Sequence, residues 1–135
     1  MIYEKYLGKE TDFQMSAIRY LDMNGILRNH CPNEMKAQKL HYYAKRKRMG
    51  VSKGFPDVSV YHPTSIYHGL FIELKVHPNK VKKYDNQFNW IENLIKVGYF
   101  ACWTNSMDEY MKIVDDYLDN KKIPVDENYR LILKN

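Results

Sequence analysis

Gly54-Phe55-Pro56-Asp57-Val58-Ser59-Val60-Tyr61 and Gly69-Leu70-Phe71-Ile72-Glu73-Leu74-Lys75-Val76 are the two stretches on which the fold turns. Each is a short apolar run opened by a glycine, the pattern of a strand. His62 to His68, with Pro63 and Thr64 as turn formers, joins them with more residues than a tight hairpin needs and suits an antiparallel pair. Successive strand side chains point to opposite faces. Leu70, Ile72, Leu74 and Val76 therefore share one face, which reads as core, and Phe71, Glu73 and Lys75 share the other. In the first strand Val58 and Val60 oppose Asp57 and Ser59. Pairing the strands adds the valines to the aliphatic face and lets Asp57 meet Glu73. Glu73 and Lys75 then project together, with their Cα atoms about 7 Å apart.

Carboxylates are poor strand formers, and covering an ionised one costs free energy. Two of them side by side repel, and one pKa rises unless a cation compensates. Lys75 neutralises one charge only. A divalent hard cation is the natural partner for the remaining oxygens, Mg2+ with Mn2+ as its substitute, in preference to zinc. Such an ion acidifies a bound water and polarises a phosphoryl oxygen. Lys75 beside it is placed to position that water and to stabilise a phosphorane-like transition state. That chemistry is phosphodiester hydrolysis. Each piece has a plainer reading: Glu-x-Lys on a strand is often a solvated charge pair, and Asp after Pro is often a turn residue. Their combination, with Gln87 on a following helix and Glu10 upstream, is more specific.

The 135 residues make one domain, residues 1–135, with an ordinary globular composition. No apolar run is long enough to cross a bilayer, so no membrane is expected. The opening MIYEKYLGKETD lacks the apolar stretch of a signal peptide, and a cytoplasmic location is expected. Cys31 and Cys102 are too few for a disulfide framework and are expected as buried thiols. The formal net charge of +5 is unevenly spread. Lys36, Lys39, Lys45, Arg46, Lys47, Arg48 and Lys53 fall in one stretch without an acid, while Asp108, Glu109, Asp115, Asp116 and Asp119 gather elsewhere. A solvated helix face or a localisation signal would also account for the basic run. With Tyr42 and Tyr43 interleaved, contact with nucleic-acid phosphates is favoured.

Along the chain, a helix is expected from about Thr11 to Met23 with Gly25 as its stop. Glu10, Gln14, Ala17 and Leu21 lie on one stripe of it, which turns Glu10 toward the body of the protein. A short strand is expected at Ile26 to Asn29. A basic helix follows from about Glu34 to Met49, capped by Asn33. After the strand pair, a helix from about Asp85 to Val97 carries Tyr84, Phe88, Ile91 and Ile95 as its main apolar stripe. Gln87, Trp90 and Leu94 make a neighbouring stripe. Tyr99 to Trp103 reads as a strand, Ser106 and Glu109 as a capping box opening a helix to about Leu118, and the tail from Asn128 as an edge strand. The class is α/β, a central mixed sheet flanked by helices.

GFPD, IELK, the helix segment QFNW and the early ETDFQ together resemble the VRR-NUC domain, a branch of the PD-(D/E)XK nuclease superfamily, over about Glu10 to Trp103. The resemblance implies a restriction-endonuclease-like fold and a Mg2+-dependent deoxyribonuclease leaving a 5′-phosphate and a 3′-hydroxyl. It implies Asp57 and Glu73 as metal ligands, Lys75 as the catalytic lysine, and Glu10 as the first-helix acid. The backbone carbonyl of Leu74 faces the metal in that superfamily. Gln87 matches the glutamine that supports the site or touches a backbone phosphate. Where relatives carry a Gly-rich or basic loop and then a small polar residue ahead of that glutamine, this chain has HPNKVKKYDNQ, with Lys80, Lys82 and Lys83. Its size resembles that of the stand-alone phage or viral members, which implies a homodimer acting on branched DNA such as four-way junctions or flaps.

Lys45, Arg46, Lys47, Arg48 and Lys53 are then the expected phosphate contacts, gripping backbone without reading bases. Trp90 reads as a packing anchor and His77 as a solvated strand-end residue. No Gly-rich nucleotide loop occurs, so no nucleotide cofactor is expected. The competing function is a non-catalytic nucleic-acid-binding protein with a nuclease fold. Clustered carboxylates argue against it, because they repel a phosphate backbone unless a metal intervenes. Hydrolysis of RNA is the chemically allowed third reading.

Overall fold

The computed structural model describes residues 3–31, 40–50 and 52–132, and the backbone alone of 40–43. Its elements are α1 (Glu10–Met23), β1 (Arg28–His30), α2 (Leu40–Arg48), β2 (Val58–Val60), β3 (Leu70–Leu74), α3 (Asn86–Lys96), β4 (Phe100–Thr104) and α4 (Met107–Leu118). Element order and the mixed α/β class are those expected. The sheet runs β1-β2-β3-β4, antiparallel at the first two pairings and parallel between β3 and β4.

The alternation in β2 and β3 sorts the interior into two layers. Val58 pairs with Ile72 and Val60 with Leu70. These four residues, with Leu74, Phe100 and Cys102, face Phe13, Ala17 and Leu21 of α1 and Tyr110, Ile113, Val114 and Tyr117 of α4. On the other side Phe71, Ala101 and Trp103 meet Phe88, Ile91 and Leu94 of α3. Every residue of β3 is thus buried, including Glu73. The solvated charge-pair reading of Glu-x-Lys fails here, because α3 covers the face that carries it.

Several boundaries differ from expectation, each for a local reason. Glu10 opens α1 in its first turn and is exposed, whereas Gln14, Ala17 and Leu21 are buried as expected. The edge strand β1 begins two residues later than the expected Ile26 to Asn29 and ends one later, and Leu27 is left 70% exposed. The helical start expected at Glu34, its cap Asn33, and Lys36 and Lys39 lie outside the described residues. Ser106 accepts a hydrogen bond from the Glu109 N–H at 3.2 Å, which is half of a capping box. The Glu109 carboxylate turns instead to Arg130, whose guanidinium lies 3.2 Å away.

Tyr84, expected on the main stripe of α3, lies before the helix, 77% exposed, while Leu94 of the neighbouring stripe is buried. The expected C-terminal edge strand is absent among the described residues, where only an isolated bridge joins Val125 to Leu131. That segment is tied to β4 through the Trp103 N–H, which donates to Tyr129 C=O at 3.3 Å, and through Trp103 Nε1, which donates to Asn128 C=O at 2.8 Å. Arg130 lies over the Trp103 ring at 4.5 Å. Cys102 is buried as expected, but Cys31 is only half-buried.

Tyr110 links the helices on the α1 side: it is fully buried, and its hydroxyl donates to the Ala17 carbonyl at 2.9 Å. Tyr110→Phe is expected to cost about 1 kcal/mol in urea unfolding, and Tyr110→Ala about 3–5 kcal/mol. Equal midpoints for Tyr110→Ala and the parent would refute this packing.

Candidate active site

Continuing the β2–β3 register one step beyond Val58 and Ile72 sets Asp57 opposite Glu73. Each is only 2% exposed. Asp57 Oδ2 accepts the Leu74 N–H at 2.8 Å, and the Asp57 carbonyl accepts the Cys31 N–H at 2.8 Å. Asp57 is thus clamped between the neighbouring strands. Glu73 Oε1 accepts from Gln87 Nε2 at 2.9 Å, which places the glutamine of α3 directly on the acid pair. Glu73 Oε2 is buried and has no donor.

Burial is the main reason the pKa values of both acids are raised. It raises the Asp57 pKa to about 6 against the opposing pull of the Leu74 N–H. The Glu73 carboxyl is pushed well above its usual range, first by burial and then by the charge of Asp57. Glu10 raises both and Lys75 lowers both. Lys75 continues the parallel pairing past β3, its N–H donating to Thr104 C=O at 2.9 Å, so the alternation keeps it on the Glu73 face. It is half-buried, and its ammonium makes no hydrogen bond or ion pair among the described residues.

Gly54 explains why GFPD begins with glycine. It adopts φ 85°, and a Cβ there would lie 2.6 Å from the Asn86 carbonyl carbon and 2.7 Å from the Gln87 nitrogen. The turn before β2 therefore rests directly on the first turn of α3 and sets where Gln87 begins. Phe55 completes the contact, its ring 5.7 Å from Phe71 and 4.9 Å from Trp90. Trp90 is half-buried there, in the packing role expected of it, and His77 is exposed.

Glu10 stands at the rim: its Oε1 accepts from Gln14 Nε2 at 3.4 Å, and its charge reaches both buried acids. Among the described residues no three His, Cys, Asp or Glu side chains gather to hold an ion by themselves. The pair Asp57 and Glu73, with a buried oxygen that has no donor, fits a hard cation that takes one or two carboxylates and keeps several waters. At Leu74 the group seen in contact with Asp57 is the N–H. An open cavity of about 800 Å3 lies between α1 and β1, and neither buried acid lines it.

The basic helix carries the expected phosphate contacts. Lys45, Lys47 and Arg48 are exposed and Arg46 is half-buried, while Lys53 is exposed just ahead of Gly54. Burial, Asp57 and Glu73 raise the Cys31 thiol pKa, and Arg46 opposes them, so α2 comes near the carboxylates at Cys31. The side chains of Tyr42 and Tyr43 lie outside the described residues. Sequence reading missed three neighbours of the acids: Gly54 against α3, Cys31 beside Asp57, and Trp103, whose backbone pairs with Glu73. The glycine ahead of a strand was a signal of close backbone approach. The other two depend on register between strands far apart in sequence.

Two outcomes follow from this geometry. Gly54→Ala is expected to lose about 2 kcal/mol or more, from the left-handed backbone and the overlap with α3. A chemical-denaturation midpoint equal to that of the parent would contradict the contact. The second concerns pH. A carboxyl whose folded pKa is raised binds more protons folded than unfolded, so its contribution to stability falls as pH rises from the unfolded value, 3.8, to about 6. In EDTA, Asp57→Asn should melt above the parent at pH 8, with the gain vanishing below pH ~4. A gain independent of pH would mean that Asp57 is not strained by its charge.

No protein-family model and no curated protein matches the chain. Among solved structures, one described as a VRR_NUC domain protein superposes with a TM-score of 0.68 at 26% identity, covering 90% of this chain and 96% of that one. In fold and in the order of its motifs the chain is similar to that VRR_NUC domain protein, and the likeness supports a nuclease-like domain.

Proposed function

We propose that the protein is a Mg2+-dependent deoxyribonuclease that hydrolyses phosphodiester bonds in branched DNA, such as junctions or flaps. The observation that carries this reading is the buried Asp57–Glu73 pair with a donorless Glu73 oxygen, beside an ammonium without an ion-pair partner among the described residues. Asp57 and Glu73 would hold the cation, with the Leu74 carbonyl as a backbone ligand and Glu10 acting from the rim. When bound, the cation supplies Lewis acidity and a water acidified toward neutral pH.

The remaining work falls to the chain itself. The Leu74 N–H fixes the Asp57 carboxylate, and Gln87 fixes that of Glu73, so neither must reorganise when substrate arrives. Lys75, on the Glu73 face, orients the attacking water and meets the negative charge that grows on the phosphoryl oxygens. Lys45, Arg46, Lys47, Arg48 and Lys53 hold phosphates along the flanking strand without reading bases, which favours recognition by DNA shape. One such site cuts one strand, and paired symmetric cuts need two copies, so a homodimer is the working unit. The setting is the cytoplasm, the bacterial host's if the chain is phage-encoded.

The test is cleavage of fork, flap, four-way-junction and linear DNA, with RNA as control, in Mg2+, in Mn2+ and in EDTA. Cutting should require the divalent ion and vanish in Asp57→Asn. Lys75→Ala should slow it roughly 100- to 1,000-fold, the usual effect of removing one charge-stabilising group. Metal-independent binding without cutting of any substrate would select the non-catalytic binding protein instead. For the basic helix, replacing Lys45, Arg46, Lys47 and Arg48 by Gln should flatten the salt dependence of binding by about 0.9 in log–log slope per lost phosphate contact. An unchanged slope would remove α2 from the interface.

A further inference from the structure

Between Lys75 and Gln87 the chain carries a loop that the catalytic reading leaves unused. Val81 is 3% exposed and sits in the α3 core, so the loop is pinned at its middle. Lys80 and Lys82 flank it, with Lys83 next, and all three are exposed and make no ion pair among the described residues. The Asp85 N–H donates to Lys82 C=O at 3.1 Å and closes a turn. Tyr84 occupies the third position of that turn at φ 70°, a conformation in which glycine is favoured and a tyrosine costs free energy. The result is an aromatic ring 77% exposed. The ring meets Phe88 edge to face, with 6.2 Å between centroids. Lys83 Nζ lies 5.6 Å from the ring.

A held, solvent-facing aromatic bracketed by ammonium groups has the chemistry of a platform for an unpaired nucleobase, with phosphates reached on either side. Its position is also constrained. Tyr84 lies three residue steps ahead of Gln87, which touches Glu73, and three steps cannot span more than about 11 Å. We propose that the loop 79–84 is a second nucleic-acid contact, in which Tyr84 stacks on an unpaired base close to the nucleotide cut at Asp57 and Glu73, and Lys80, Lys82 and Lys83 hold the adjoining phosphates. This rests on the nuclease reading and deepens it: the loop supplies the preference for a strand that leaves the duplex. Within a duplex, bases stacked on both sides leave the lysines their phosphates but give the ring no free base face.

The test uses the full chain in EDTA, where binding is read without cutting. The probes are a fork whose first unpaired base is 2-aminopurine and a blunt duplex of the same length. Binding of the parent should change the 2-aminopurine emission. Tyr84→Leu should weaken fork binding about 10-fold, the scale of one lost base–aromatic stack, and leave the duplex unaffected. Tyr84→Trp should keep the fork affinity. Tyr84→Gly, which relieves the positive φ, should lose fork binding as Tyr84→Leu does, so that the loss is assigned to the ring and not to the turn. Lys82→Gln with Lys83→Gln should weaken both probes and flatten the salt slope.

Equal fork binding by Tyr84→Leu and the parent would overturn the proposal, as would parallel loss of fork and duplex. In either case Mg2+-dependent cutting by the parent would leave the nuclease reading in place. A parent that neither binds nor cuts any DNA overturns both.

Discussion

The organising constraint is the repulsion between two carboxylates held face to face where water scarcely reaches. At 4 Å, with an effective dielectric constant of about 20, like unit charges cost roughly 4 kcal/mol. That is a large share of the 5–15 kcal/mol that keeps an ordinary domain folded. The structure withstands it by fixing each acid from a different side. Asp57 is fixed by the β3 backbone at Leu74, and Glu73 by the side chain of Gln87 on α3. Packing on both faces of β3 prevents the pair from relaxing toward solvent. Strain of this kind persists only where the surroundings over-determine it.

Topology then decides what else reaches the pair. Because β3 and β4 run parallel, the chain must leave β3, cross over the sheet and return, and α3 is that crossover. Lys75 is the first residue past the strand, and Gln87 is in the first turn of the helix. Both fall at the same end of the sheet as Glu73. Gly54 locks the register from the other direction, since its missing side chain is the space into which the first turn of α3 fits. Two pieces of chain that the sequence separates by more than thirty residues therefore set a single hydrogen bond.

Much of this was legible in the sequence, and the parts that were not share a cause. Period-two alternation in GLFIELKV assigned Leu70, Ile72 and Leu74 to one layer and Glu73 to the other, and the β2–β3 pairing set Asp57 against it, because a strand's faces follow from local stereochemistry. Helical periodicity placed Gln14, Ala17 and Leu21 inward, but it failed at Glu10, the exposed first residue of α1. It failed again at Tyr84, where the period was right and the backbone was not: a left-handed residue precedes the helix. The capping box at Ser106 was misread by half because a distant arginine, Arg130, outcompetes the local backbone for Glu109. Partners that arrive from far along the chain leave no periodic trace.

The charge pattern presents the last problem of synthesis, because a net charge of +5 does not by itself bring a phosphate to a pair of acids. Coulomb attraction from exposed lysines is screened within about 8–10 Å at physiological salt, so the cations act only where they stand close. Arg46 is felt at Cys31, beside Asp57, while Lys75 lies on the Glu73 face. The positive groups thus surround the acids but do not cancel them, and Glu73 keeps an oxygen without a donor. In the nuclease reading this incompleteness is functional. A cation that neutralises the acids also removes the repulsion they exert on a phosphate, and a bound phosphate in turn adds negative charge where the cation sits. Each then strengthens the binding of the other by the same free energy, as linkage requires.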